Sequence, residues 1–289
     1  MTNNGSFLVQ AGSGGTRFVE GVGTFTNAAT GTMAVDDILN SSGGTSVVNQ
    51  GSLSLTEQWT IPGAFNSAGG TVSATGAGQV VSSGSTTIGN GSSSGNVIVV
   101  TGGSLAFSGP GATSVLVIGG ANLTGTIPAG QVLTVSGTNA QNTTVSLQGN
   151  VVNNGTIVET STGGGFANIE LNSFSLTNNG SFLVQAGSGG TRFVEGVGTF
   201  TNAATGTMTV DQGLTSNGLT AVVNQGSLTL TQQWTVPGSF TMTSGSVASS
   251  GAGLVVASGT TVMGNGSTSG TPVRVIGGNL QFTGTVPRR

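Results

Sequence analysis

The chain has no cysteine, no histidine, no lysine and no tyrosine, and only 4% of its 289 residues are charged. An ordinary soluble domain is about 25% charged, so a compact enzyme-like domain is a poor first expectation. Without cysteine or histidine there is no thiol nucleophile and no donor set for zinc or another transition metal. Five arginines without a single lysine cannot build the basic footprint that nucleic acid requires. No apolar run approaches the roughly 18 residues of a membrane span; Val97-Ile98-Val99-Val100 is among the longest. No basic segment followed by an apolar stretch opens the chain, so no signal peptide is expected in these residues.

What is present is glycine, at 54 residues, with serine, threonine, asparagine, alanine and valine supplying much of the remainder. Disordered chains combine low hydrophobicity with high net charge. Here the mean hydropathy is +0.22 and the net charge −3. Apolar residues alternate with small polar ones, as in Ser52-Leu53-Ser54-Leu55-Thr56 and Val132-Leu133-Thr134-Val135-Ser136. Alternation with a period of two marks half-buried strands, so the expected class is all-β.

Residues 2 to 33 recur letter for letter at 177 to 208, an offset of 175 (177 − 2). The register persists beyond them, with Trp59 matched by Trp234, Pro62 by Pro237, Gly89 by Gly264 and Phe107 by Phe282. Residues 1–175 form one long unit and 176–289 a partial second one. Met1 stands where the second copy has Leu176, as expected of a piece cut from a longer array. A shorter motif, Asn-x-Gly-Ser/Thr-apolar, lies inside the unit at Asn3, Asn49 and Asn153, returns at Asn178 and Asn224, and appears in stretched form at Asn27 and Asn202. These asparagines recur at a step of roughly 20 to 25 residues, which on a β-type alternation is the signature of a β-solenoid. At a period of about 22 residues per turn, one long unit holds eight turns. Inward Val, Leu, Ile and Phe would stack from turn to turn, with Asn and Gly at the corners, where both tolerate left-handed backbone. Adjacent turns share a core, so residues 1–289 are expected to form a single continuous solenoid.

The recurring style of Leu176-Thr177-Asn178-Asn179-Gly180-Ser181-Phe182-Leu183-Val184 resembles the passenger regions of autotransporters and filamentous-haemagglutinin-like adhesins. That resemblance implies a right-handed parallel β-helix, exported to the bacterial cell surface, whose work is structural or adhesive. Host or neighbouring-cell surface glycans are then an expected partner.

Candidate chemistry is sparse. The acids are Glu20, Asp36, Asp37, Glu57, Glu159, Glu170, Glu195 and Asp211. Glycoside cleavage needs two carboxylates roughly 5 to 10 Å apart. Asp36-Asp37 is the only sequential pair, successive strand residues face opposite ways, and the second copy reads Asp211-Gln212. No catalytic, cofactor-binding or metal-binding residue is expected, and the chain is expected not to be an enzyme. Arg17 with Glu20, repeated as Arg192 with Glu195, could be a docking point; the ordinary reading is a solvated corner salt bridge. Sequons at Asn4, Asn90, Asn122, Asn142, Asn154, Asn179 and Asn265 are what turn geometry and composition produce without glycans. Thr-x-Thr pairs at Thr24/Thr26, Thr199/Thr201 and Thr229/Thr231 raise an ice-binding alternative but are sporadic. A polysaccharide-binding or polysaccharide-degrading β-helix is the other alternative.

Phe7, Phe18, Phe25 and their copies Phe182, Phe193 and Phe200 are expected in the core. Trp59 and Trp234 are expected on a corner loop, given the prolines just downstream, and stability is expected to be flat between about pH 4 and 9. The first turn repeats an internal one, so end-to-end self-association into filaments is expected: a repeat without closure gives a fibre. By the offset the chain ends at the equivalent of position 114 (289 − 175), and a following copy would restart at the equivalent of 176. The stretch skipped is about three turns at the inferred period, so a head-to-tail joint would nearly keep its phase.

Overall fold

A computed structural model describes residues 1–284. All regular structure among them is β-strand, in two compact units, Met1–Thr134 and Val135–Arg289.

The first unit is a parallel β-solenoid. Its turns have three faces, represented in one turn by Thr24–Asn27, Thr32–Val35 and Leu39–Ser41. Each strand pairs in parallel with the equivalent strand of the neighbouring turn. On the first face the register runs Asn3, Asn27, Asn49, Ser67, Ile88, Phe107. The successive differences in numbering are 24, 22, 18, 21 and 19.

The second unit repeats this winding. One of its turns is Arg192–Glu195, Thr199–Asn202 and Thr207–Val210. Along the face of Thr199–Asn202 the register runs Val152, Thr177, Thr201, Val223, Thr241, Val262, Gln281. After a first difference of 25, the series is again 24, 22, 18, 21 and 19. The expected period of about 22 is therefore borne out, with individual turns shortened at their loops.

Strand parity sends alternate side chains inward. Phe25, Met33, Val35, Leu39, Leu53, Leu55 and Ile61 fill the first interior, and Phe182, Val184, Phe200, Met208, Val210 and Leu230 the second. Four of the six phenylalanines behave as expected: Phe25, Phe182 and Phe200 are buried and Phe7 is partly covered. Phe18 is exposed, and Phe193, though half-buried, lies off the core. Both point outward, because Arg17 and Val19, or Arg192 and Val194, take the inward positions of the same strand. Trp59 and Trp234 are not on loops either. They are wholly buried within Gln58–Ile61 and Gln233–Val236, and each Nε1 donates to a buried serine, Ser41 Oγ at 3.0 Å and Ser216 Oγ at 2.9 Å. The prolines start the corner that follows these strands.

Asparagine ladders line the interior edge of one face. Asn3 Nδ2 donates to Asn27 Oδ1 and Asn27 Nδ2 to Asn49 Oδ1, both at 2.9 Å. In the second unit Asn153, Asn178, Asn202 and Asn224 continue the pattern at 2.7 to 2.8 Å. Their backbone is not left-handed; among the described residues only Asn172 and Ser173 take positive φ without being glycine. The asparagines are there for their amides. The glycines beside them serve close approach. The Ser181 N–H donates to Gly155 O at 2.9 Å, Thr207 to Gly180 at 2.8 Å and Ser246 to Gly226 at 2.8 Å. A Cβ on Gly180 would lie 2.2 Å from Gly155 O, and one on Gly245 2.3 Å from Gly226 O. No side chain fits there.

Candidate functional site

The charged residues are the natural place to look for chemistry, because there are so few. Arg192 heads the strand Arg192–Glu195 and points into the solenoid, wholly buried. Its guanidinium donates to the carbonyls of Gly189, Gly190, Ala186 and Gln185 at 2.9 to 3.3 Å, bracing the glycine-rich loop that precedes it. Glu195, at the other end of the strand, faces out and accepts from Asn168 Nδ2 at 2.8 Å. The expected Arg–Glu corner bridge is therefore not made: an odd spacing on a strand puts the two side chains on opposite faces. In the first copy Arg17 instead meets Asp37 of the next turn at 3.2 Å and also donates to Gly15 O.

Glu159 is the residue sequence reasoning passed over. It stands in the inward column that continues as Val184, Val210 and Leu230 and is completely buried, with neither carboxylate oxygen hydrogen-bonded. Burial pushes its carboxyl well above the usual range. The nearby Arg192 charge pulls it back, and Glu195 adds a smaller upward push. Burial likewise lowers Arg192 from its ordinary value, against the opposing pull of Glu159. The signal was present: in Thr156-Ile157-Val158-Glu159, an inward Ile157 forces Glu159 inward too.

A second pairing was also missed. Glu170 and Glu195 are direct register partners on adjacent turns, which places their Cα atoms about 4.8 Å apart. Ser146 Oγ donates to Glu170 Oε2 at 3.3 Å. Burial raises the Glu195 carboxyl, the Asn168 hydrogen bond lowers it, and the Glu170 charge raises it again. Beside them the outward Phe193 ring packs edge-on against Phe166, with centroids 5.6 Å apart. Matching acids that stand one full turn apart in the chain would have revealed this carboxylate pair.

The three aspartates hold local structure. Asp36 Oδ1 accepts from Thr56 at 3.1 Å, Asp211 Oδ1 from Thr231 at 2.8 Å and Asp37 Oδ1 from the Ile38 N–H at 2.8 Å. Among the described residues no three His, Cys, Asp or Glu side chains come together as a metal site. The sequon asparagines all lie at exposed or half-buried positions. The Thr-x-Thr pairs do not gather on one face: Thr24/Thr26 and Thr199/Thr201 lie outside the asparagine ladders, whereas Thr229 belongs to the next face. That next face carries an outward hydroxyl in every turn of the second unit, Thr156, Ser181, Thr207, Ser227, Ser246 and Ser267. No helix among the described residues is long and apolar enough to cross a membrane.

No known protein family matches the chain, and comparison with curated proteins and with solved structures likewise gives no match.

Proposed function

We propose that the chain is a non-catalytic structural and adhesive segment of an extracellular bacterial surface or fibre protein, associating end to end with copies of itself. The observation that carries this reading is how the polar groups are used. Asparagine ladders run inside, hydroxyl columns run outside, and the carboxylates Asp36, Asp37 and Asp211 brace neighbouring turns. A surface of short, uncharged side chains offers many weak hydrogen bonds, which suits contact spread over a face. Low net charge gives little electrostatic repulsion between copies. Beads coated with the full chain are expected to adhere to cell surfaces and to be released by soluble glycans, and the protein to sediment as assemblies at micromolar concentration. Beads that never adhere, on a strictly monomeric protein, would remove this reading.

Glu170 and Glu195 favour one second reading, a polysaccharide-binding or polysaccharide-cleaving patch. Two carboxylates side by side on adjacent turns, one with its carboxyl raised, are the residue types that glycoside cleavage uses, and the Phe193 ring offers a stacking surface for a sugar. Polysaccharide turnover or binding lost in both E170Q and E195Q would support it; unchanged behaviour in both would dismiss it.

A further inference from the structure

The sequence contains six Asn-Gly pairs, beginning at Asn4, Asn90, Asn154, Asn179, Asn217 and Asn265. Asparagine before glycine is the arrangement most open to loss of the side-chain amide, because the glycine has no side chain to shield its backbone nitrogen. Reaction needs that nitrogen to be free and the main chain to turn until it meets Asn Cγ. The pairs differ in both respects.

In all but one, the winding of the turns holds the glycine. The Gly5 N–H donates to Asn3 Oδ1 at 3.2 Å and the Gly155 N–H to Asn153 Oδ1 at 3.1 Å. The Gly180 N–H donates to Asn153 O at 2.9 Å, and Asn179 Nδ2 donates to Asn154 Oδ1 at 3.0 Å. Gly91 is buried, and a Cβ there would lie 2.4 Å from Gly70 O. Gly266 sits between two inter-turn bonds, Asn265 N–H to Thr243 O at 3.0 Å and Ser267 N–H to Gly245 O at 2.9 Å.

Asn217-Gly218 is the exception. It forms an exposed turn between Leu214–Thr215 and Ala221–Asn224, and exposed turn tips are where the backbone moves most readily. Gly218 takes φ +74°, and its N–H has no acceptor among the described residues. A Cβ on it would come no closer than 3.6 Å to the neighbouring turn. The first copy has Ser42-Gly43 at the same place, so the pair is peculiar to the second unit.

We infer that Asn217 is a site of spontaneous deamidation, converting in the folded chain to aspartate and isoaspartate ahead of the other Asn-Gly pairs. The Gly218 nitrogen gives up its proton to solvent and attacks Asn217 Cγ. The new N–C bond closes a succinimide ring as the Cγ–Nδ2 bond breaks and ammonia leaves. Water then adds to either ring carbonyl and opens the ring, giving an α-linked or a β-linked aspartyl residue. One amide is exchanged for one carboxylate, water is consumed, ammonia is released, and nothing is oxidised or reduced. Asn217 O accepts from the Gly196 N–H at 2.9 Å. The product therefore sets a carboxylate one turn beyond Glu195 and extends the Glu170–Glu195 pair.

Incubating the full chain at mildly alkaline pH, then mapping chymotryptic peptides by mass spectrometry, reads each pair separately. The peptide holding Asn217 is expected to gain acid and isoaspartate before any other. In denaturing urea the pairs should convert at similar rates, because only the fold distinguishes them. Asn217→Ser places there the residue the first copy carries, so the variant should keep the parent melting temperature. It should lose the earliest acidic species on an ion-exchange column. Another pair converting first in the folded chain, or undiminished early acidic species in Asn217→Ser, would overturn the inference. So would an unreacted Asn217 in folded protein incubated until the unfolded chain has fully converted.

Discussion

The side-chain amide of Asn178 donates to Asn202 Oδ1 at 2.8 Å and accepts from Asn153 Nδ2 at 2.7 Å, across two successive turns. Asn178 also donates to Thr207 O at 3.0 Å. Asn178→Ala would therefore strip partners from both neighbours inside the solenoid. Leaving buried polar groups unpaired costs about 1–3 kcal/mol, and denaturant unfolding should show a loss of that size. The adjacent Asn179 lies outside, donating to the exposed Asn154, so Asn179→Ala is expected to change stability by no more than about 0.5 kcal/mol. Equal losses at the two positions would mean the inner ladder contributes nothing special.

Ser216→Ala and Ser41→Ala test the tryptophans. Each removes the acceptor of a wholly buried indole N–H, at a cost of about 1–3 kcal/mol. Thermal melts should show similar decrements for the two variants, since both copies build the same contact. A negligible effect would mean that the indole finds another acceptor.

The buried Glu159 argues against a flat pH profile. Its carboxyl is raised in the folded chain above the ordinary 4.5, so the folded state holds a proton that the unfolded state releases. The stability this proton contributes is complete below about pH 4.5 and is lost as pH rises from there through the folded value. Glu195 is raised too and acts in the same direction. Melting temperature should fall on going from about pH 4.5 toward neutrality, and Glu159→Gln should flatten the fall. A melting temperature that rises over this range, or an unchanged slope in Glu159→Gln, would contradict the assignment.

The Glu170–Glu195 pair can be read by carboxyl chemical shifts. Removing the Glu170 charge by Glu170→Gln should move the Glu195 midpoint down, because that charge raises it. Asn168→Ala should move it up, because the amide bond favours the ionised carboxylate. Shifts in the opposite senses would refute the proposed couplings.

Much of the fold was legible because the repeat writes it many times over. Spacing of Asn3, Asn27 and Asn49 marked the turn length, and alternation in Ser52-Leu53-Ser54-Leu55 marked what faces inward. What misled was judging residues by type instead of parity. In Arg17-Phe18-Val19 the aromatic looks like the core residue, yet Val19 and Arg17 share the inward parity and Phe18 is left outside. Pro62 suggested a loop for Trp59, although Gln58-Trp59-Thr60-Ile61 alternates cleanly with Trp59 and Ile61 inward. The charged contacts were hidden for another reason. Arg17 and Asp37 stand one turn apart in the chain, and so do Glu170 and Glu195. Such pairs become visible once the turn period is applied to charges as well as to apolar residues.

The direction of the inter-turn hydrogen bonds sets how each unit carries mechanical load. Within a unit, bonds such as Thr207 N–H to Gly180 O and Ser227 N–H to Gly206 O point along the stack. Tension applied to a chain end peels the edge turn, loading its inter-turn bonds one after another, so a unit opens turn by turn. A force across the stack loads the bonds of a whole interface together in shear. Peeling from an end therefore removes one turn at a time and leaves the next turn's strand edges exposed as the template on which it can rewind.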